Sequence, residues 1–508
     1  MAVDPRTPCL IGVGQRTWHP DEVGDDGAPE PLTMWDEVTR RAADDTGAGR
    51  RALQRLDSID VVFCQTWQYD DPPGRLAARL GTDADRQRYS GIGGTTPQVL
   101  VQQQAARILA GESDLGLVCG AEALATQRRY KRRGERYPYS FQPPEKRPYP
   151  WEAPFHPAEL AHDVMQAWLT FALFDNARRA HRGDGLPEYR SELGEMLAPM
   201  TEVAAKNPNA WFPIARTAEE IIAPRPDNRL VGYPYTKYMV SIMDVDMASA
   251  VLVASHETAD ALGVPADRRV YLRGWCYATD ATYVAEHDTL WGSPAMVAAS
   301  RVALAGAGIG MDDVTHLDLY SCFASSLNFA RDALGLTDGD ERPLTVTGGL
   351  PYHGGAGSNY MTHSIATMTD VLRADPGSYG MVSGVGMHMT KHVYGLYSTE
   401  PGPVAPPDQA RVQADVDAAH PPVPIVDSYD GDATVAAYSV IHDREGNPQS
   451  GVLVCDIDGA RTYGKVLDPA TLTAAEEREM VGTTVRLTPQ PVPLPTGGEG
   501  TANVAVPA

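Results

Sequence analysis

A handful of residues carries most of the chain's chemical options. His353 stands in the loop His353-Gly-Gly-Ala-Gly357. An imidazole there serves as a general base or an oxyanion donor, or is a loop histidine satisfied by backbone. Tyr320 and Cys322 stand in a strand pattern that runs from Val314 to Phe323. A phenol at that place donates to a carbonyl oxygen or packs at a strand end. The cysteine is a candidate nucleophile, although buried cysteines after strands more often pack. Tyr352, Ser383 and His388 add further polar groups. A second kind of signal is the turn Gly91-Ile-Gly-Gly-Thr-Thr96, which contains Gly94 and Thr95 and runs into Pro97. Proline suits the first turn of a helix, and a helix N-terminus seats an anionic oxygen. The turn lacks the Gly-Lys-Ser/Thr of a P-loop, so a nucleoside triphosphate is not its expected ligand. Gly384 and Gly386 form a matching pair, with the same alternatives of ligand cradle and tight turn. Finally, Arg128-Arg-Tyr-Lys-Arg-Arg133 concentrates positive charge. Arg128 and Arg132 are candidates for phosphate contacts, with a solvated face or a subunit contact as the alternative.

The elements that position these groups recur. The glycine turn at 91–96 precedes a helical stripe of Val101, Ala105 and Ile108, then the strand pattern at 114–120. The same loop, helix and strand recur as Gly348 to Gly357, the stripe Met361, Ile365, Met368 and Leu372, and the strand pattern at 379–386. This spacing predicts a duplicated α/β protein whose halves cover residues 1–245 and 246–400. A Tyr-, Pro- and Arg-rich insert at about 125–240 interrupts the first half and is expected to carry substrate contacts. Residues 401–427 are proline-rich and read as a linker. Short alternating strands at 428–488 read as a small OB-like β-barrel, and the Pro/Gly-rich tail 489–508 reads as disordered.

Composition bounds the functional class. The chain has 508 residues, long enough for several domains, and a net charge of −23. That charge opposes nucleic acid and anionic lipid. Six dispersed cysteines without a CxxC pair argue against zinc ribbons, thioredoxin chemistry and a disulfide framework. No metal site and no nicotinamide cofactor is expected. No apolar run reaches membrane-spanning length, and residues 1–12 lack the pattern of an export signal. A cytoplasmic bacterial protein is the expectation.

Taken in order, these motifs resemble the thiolase superfamily. The carriers are Ile11-Gly-Val-Gly-Gln-Arg-Thr17, Asp244-Val-Asp-Met-Ala-Ser-Ala250, Leu319-Tyr-Ser-Cys-Phe-Ala324 and the loop at 348–357. The sequence YSCF, the loop GGLPYHGGAG and the appended β domain resemble, more narrowly, actinobacterial thiolase-like proteins of type 1, acetyl-CoA acetyltransferase-like. The resemblance implies two βαβαβαββ halves in a five-layered α-β-α-β-α arrangement, with a coenzyme A thioester as substrate or ligand. It also implies a homodimer, with a further protein partner open to the C-terminal domain. Aligned on the motifs, Gly94 takes the place of the family's nucleophilic cysteine, Ser383 that of the second cysteine and Tyr320 that of an oxyanion-hole residue. His353, Tyr320, Ser383 and Cys322 are then the expected catalytic lining. Gly94, Thr95, Ser241, Gly384, Arg128 and Arg132 are the expected coenzyme A contacts. Three readings stay open: an acyl-CoA protein without an acyl-enzyme, a retro-aldolase on 3-hydroxyacyl-CoA, and a non-catalytic acyl-CoA or lipid carrier or complex subunit.

Overall fold

The computed structural model describes residues 3–145 and 155–507. The first half runs β1 (Pro8–Thr17), α1 (Pro31–Asp45), β2 (Ser58–Val61), α2 (Pro72–Leu80), β3 (Arg86–Tyr89), α3 (Thr96–Leu109) and β4 (Leu115–Ala123). The insert follows with α4 (Leu124–Arg133), α5 (Ala167–Arg182), α6 (Leu186–Lys206), β5 (Leu230–Gly232) and β6 (Tyr235–Thr236). Next come β7 (Asp246–Ser255), β8 (Val270–Thr279), α7 (Pro294–Ala307), β9 (Val314–Asp318), α8 (Ala324–Leu334), α9 (Tyr360–Ala374), β10 (Tyr379–Gly386) and β11 (Lys391–Ser398).

The strands order as β3-β2-β4-β7-β1 and, mirrored across the β1–β8 contact, β8-β11-β10-β9. The boundary expected at 245/246 is therefore misplaced. Strand β7 is hydrogen-bonded between β4 and β1, with Ala248 opposite both Ala121 and Arg16, and completes the first half. Its segment reads as an opening strand because its partners lie more than a hundred residues back. The second half also has one strand fewer, since the segment between α8 and α9 holds the glycine-rich loop where a third strand would sit.

Helices α3 and α9 touch each other and strands of both half-sheets, while α1 and α7 cover the outer faces. This is the five-layered α-β-α-β-α arrangement. A helix in the central layer has no solvent face, so α3 buries Leu100, Val101, Ala105 and Ile108 together with Gln98, Gln102 and Gln104. The buried amides find partners where the sequence supplies them: Gln98 Oε1 accepts from the Tyr397 hydroxyl at 2.6 Å, and Gln104 Nε2 donates to Ser113 Oγ at 2.6 Å.

The C-terminal region is a closed five-stranded barrel of β12 (Gly431–His442), β13 (Pro448–Ile457), β14 (Ala460–Val466), β15 (Thr484–Pro493) and β16 (Glu499–Pro507). Strand β12 pairs with β13 and β15, β13 with β14, β14 in parallel with β16, and β16 with β15. Closure in this order, with a helix at Pro469–Glu477 between β14 and β15, is OB-like. The tail expected to be disordered supplies β16. Its prolines misled the composition reading, because Pro489, Pro491 and Pro493 lie where β15 pairs with β16 alone. A missing N–H is tolerated there. The expected linker likewise holds a helix, α10 (Gln409–Ala419), capped by Asp408 and packed on α7 and β8 through the buried Val416. Helix Pro469–Glu477 is then α11.

The insert cradles the barrel. Asn176 of α5 donates to the carbonyls of Tyr233 and Tyr438, and Ile441 of β12 pairs with Gly232 of β5. Tyr463 of β14 donates to Glu159 at 2.9 Å. Among the described residues no helix is long and apolar enough to cross a membrane.

Candidate functional site

The N-terminus of α3 defines the site. Gly93 adopts φ +148, a conformation side chains disfavour, and donates to Ser358 Oγ at 3.1 Å. Gly94 follows, half-buried. A Cβ on Gly94 would collide with the Tyr320 hydroxyl and the Val385 carbonyl oxygen. The space a side chain would need at the helix N-terminus is thus filled by a tyrosine from the other half. Thr95 is buried against Gly384 and Gly386 at the end of β10. Gly94, Thr95, Gly384 and Tyr320, far apart in the chain, meet here.

Tyr320 is held on both main-chain sides. Its N–H donates to Ser383 Oγ at 2.9 Å, and its carbonyl accepts from Ser326 Oγ at 2.8 Å. Ser383 is thereby committed to orienting Tyr320. The Tyr320 ring meets Tyr360 edge-on at 5.6 Å. Burial pushes its phenol well above the ordinary range, so it stays protonated and can serve as a donor. Cys322 lies next to it with Sγ 3.6 Å from Ser326 Oγ, and burial pushes its thiol up to about 12. It is a thiol at neutral pH, and thiolate is the nucleophilic form.

His353 sits in a loop whose glycines Gly348, Gly349 and Gly354 all have positive φ. Side chains at these three would run into Ala204, Ser321 and Met247 respectively, so the loop is pressed against α6, β7 and the chain after β9. The His353 N–H donates to the Gly349 carbonyl at 2.7 Å, and its carbonyl accepts from Trp211 N–H at 2.8 Å. The imidazole is fully buried. Nδ1 lies 3.4 Å from the Gly354 carbonyl, and Nε2 has no partner among the described residues. Burial lowers its pKa to about 4, so the ring is neutral at pH 7. The neighbouring Tyr352 hydroxyl is also buried without a partner. Ser241 joins the site through its N–H, which donates to the Cys322 carbonyl at 3.0 Å, and its hydroxyl lies against Gly355.

The basic helix α4 stands apart from this cluster. Exposed Arg128 pairs with Asp244, Arg129 with Asp246 and Arg133 with Glu135. Acidic neighbours thus neutralise part of the stretch. Arg132 is exposed and makes no ion pair with the described residues. His388, in the β10–β11 turn, bonds Thr170 at 3.0 Å, and burial lowers it to about 4.

Three residues were missed from the sequence: Asp318, Tyr360 and His363. Tyr360 donates to Asp318 at 3.1 Å and shares a 2.6 Å bond with Thr347. Asp318 also accepts from the hydroxyls of Thr345 and Thr347 and from two backbone N–H groups. This buried anchor props the ring that supports both Tyr320 and His353. The only available signal was an aspartate in an otherwise apolar strand ending. Among the described residues no group of three His, Cys, Asp or Glu is placed to hold a metal.

Known proteins were compared with this arrangement. The model of the thiolase-like protein type 1 additional C-terminal domain matches residues 411–490. A monomeric SCP2-thiolase like protein type 1 from Mycobacterium smegmatis superposes with a TM-score of 0.85 at 32% identity, covering 100% of both chains. The Ltp2-ChsH2(DUF35) aldolase gives 0.58 at 16% identity, covering 78% of this chain and 99% of the other. An acetyl-CoA acetyltransferase from Syntrophomonas wolfei gives 0.56 at 14%, covering 78% and 100%. The last two show the fold alone. No curated protein matches the sequence. The Mycobacterium smegmatis relative is described as monomeric, so the homodimer expected from the resemblance finds no support in it. With the barrel matched separately and the whole chain aligned at 32% identity, the chain belongs to the SCP2-thiolase-like protein type 1 family.

Proposed function

We propose that the protein handles acyl-CoA thioesters in a thiolase-shaped site without forming an acyl-enzyme. The observation that carries this reading is Gly94 at the N-terminus of α3, with the Tyr320 hydroxyl in the volume a nucleophile would need. A ping-pong thiolase step requires a thiolate held by a helix dipole. Here the helix terminus carries no thiol, and Cys322 is held protonated by burial. What remains is a phenol donor and backbone N–H groups able to polarise a thioester carbonyl, with a neutral imidazole as proton acceptor. Lys131 and Arg132 of α4 are both exposed and make no ion pair with the described residues, and Arg132 is assigned to the coenzyme A phosphates. Like its Mycobacterium relative, the protein is proposed to act as a monomer, in the cytoplasm. Calorimetric titration with acetyl-CoA and longer acyl-CoA esters is expected to give saturable binding. Absence of binding across the panel would overturn the reading.

A second reading is favoured by a phenol donor, Tyr320, and an imidazole acceptor, His353, that both pack on the ring of Tyr360. In a retro-aldol cleavage of a 3-hydroxyacyl-CoA, His353 takes the hydroxyl proton and the Cα–Cβ bond breaks. A ketone or aldehyde leaves, and the Tyr320 hydroxyl steadies the thioester enolate until it is protonated. The covalently attached OB-like barrel and the shared fold with the Ltp2-ChsH2(DUF35) aldolase agree with it. Carbonyl product released from such an ester, and lost in Tyr320→Phe, would select this reading. Binding without product from any ester would leave the carrier role.

A further inference from the structure

Behind His353, away from Tyr320 in the chain, lies a second imidazole that the proposed chemistry does not use. His363, one turn into α9, meets His353 in a T-shaped contact with ring centroids 5.2 Å apart. Both rings are fully buried, and in each the Nε2 atom has no partner among the described residues. The other nitrogens are engaged. His363 Nδ1 lies 3.2 Å from Gln15 Oε1, and His353 Nδ1 lies 3.4 Å from the Gly354 carbonyl. Both partners are oxygens that can only accept, so each Nδ1 carries the hydrogen and each Nε2 carries a lone pair. The Gln15 amide is itself oriented, because its Nε2 donates to Thr367 Oγ1 at 3.2 Å.

We propose that His353 and His363 form a buried pair that takes up one proton between them, with His363 as a positioning residue whose tautomer is set by Gln15. Two buried lone pairs without a donor are costly, and one added proton satisfies both through a shared hydrogen bond, directly or across one water. A second proton is refused, because it would place two cations within a few ångströms in a buried site. The groups facing the pair favour single occupancy. From α9 comes the ring of Tyr360, 5.8 Å from His353, and from the end of β9, through the Tyr360 hydroxyl, the carboxylate of Asp318. In function, which rests on the acyl-CoA reading above, the pair stores the proton that His353 removes and returns it without exchange with solvent.

The test is histidine nitrogen NMR on the full-length protein labelled with 15N-histidine, with His353 and His363 assigned by single substitution. Both rings are expected in the Nδ1–H form at pH 7, with one proton taken up by the pair on acidification. Gln15→Leu, at a partly exposed position, is expected to release His363 into a mixture of tautomers. His363→Phe is expected to lower the proton affinity of His353 at least threefold. His363 in the Nε2–H form, or His353 titrating unchanged in Gln15→Leu and His363→Phe, would overturn the pair. Should His363→Phe fail to fold, the tautomer readout in the wild type and Gln15→Leu decides alone. These spectra need no substrate. Expected tautomers without acyl-CoA binding sink only the functional reading, and acyl-CoA binding with the wrong tautomers sinks only the pair.

Discussion

Gly94 and Tyr320 are complementary in volume, so the proposed exchange of a nucleophile for a phenol would involve two positions rather than one. On the proposed reading, restoring a side chain at Gly94 is therefore not expected to restore thiolase chemistry. Gly94→Ala is expected to destabilise the protein by about 1–3 kcal/mol in chemical denaturation, the usual cost of overpacking a tight site. Gly94→Cys is expected to remain without thiolysis of acetoacetyl-CoA. Glu122 gives a prediction with a definite sign. It accepts from Gln65 N–H, Thr66 N–H and the Thr66 hydroxyl in the core next to Gly357, and burial raises it from 4.5 to about 7. Between those values the folded protein holds a proton that the unfolded chain has lost. Its contribution is thus present below pH 4.5 and disappears as pH rises through 7. Measured against Glu122→Gln, the stability of the wild type is expected to fall by up to about 3 kcal/mol from pH 4.5 to 7.5. A flat difference would remove the burial argument. At this scale the sequence sets Gly94, Tyr320, His353 and Ser383 in motifs of fixed order, and the structure brings Gly94 against the Tyr320 hydroxyl and Ser383 onto the Tyr320 N–H. That Ser383 orients Tyr320, and that Asp318 and Tyr360 prop the ring, depended on contacts between distant segments that no local pattern encodes.

The elements show why. Periodicity marked α3, α9, β4 and β10 because each is locally amphipathic or wholly apolar. It assigned β7 to the wrong half because strand membership is decided by pairing. Composition misread the tail, where proline marks a strand edge instead of disorder. Helix α4 offers a test of the coenzyme A assignment. Arg128 is already paired with Asp244. Arg132→Glu is therefore expected to weaken acyl-CoA binding more than Arg128→Glu, by about three- to tenfold at low salt, with the effect fading as salt screens it. Equal effects, or none, would place the phosphates elsewhere. Ending the chain before Glu499 removes β16 and leaves β14 and β15 unpaired along one edge each. Limited proteolysis is expected to cut the barrel at least about tenfold faster in that variant.

At the scale of the molecule, the barrel is joined to the thiolase-like body by buried polar contacts. Arg461 of β14 is largely buried and donates to the carbonyls of Ala285, His287 and Asp288 while pairing with Asp456. Arg461→Ala strands those carbonyls. It is expected to cost about 2–4 kcal/mol and to separate the barrel's unfolding from that of the body when the two are followed by different probes. Coincident transitions in the variant would show that the contact does not couple them. The charge of −23 acquires a local meaning in the same frame. Acidic residues pair with Arg128, Arg129 and Arg133, while Lys131 and Arg132 make no ion pair with the described residues.

The central claim is that acyl-CoA is handled without a covalent acyl-enzyme. Intact-mass measurement of the protein quenched during incubation with saturating acetyl-CoA and acetoacetyl-CoA, at concentrations where calorimetry shows the site filled, tests it most directly. The account predicts an unmodified mass throughout. A stoichiometric acetyl adduct that is chased off by free coenzyme A, on Cys322 or any other residue, would contradict it.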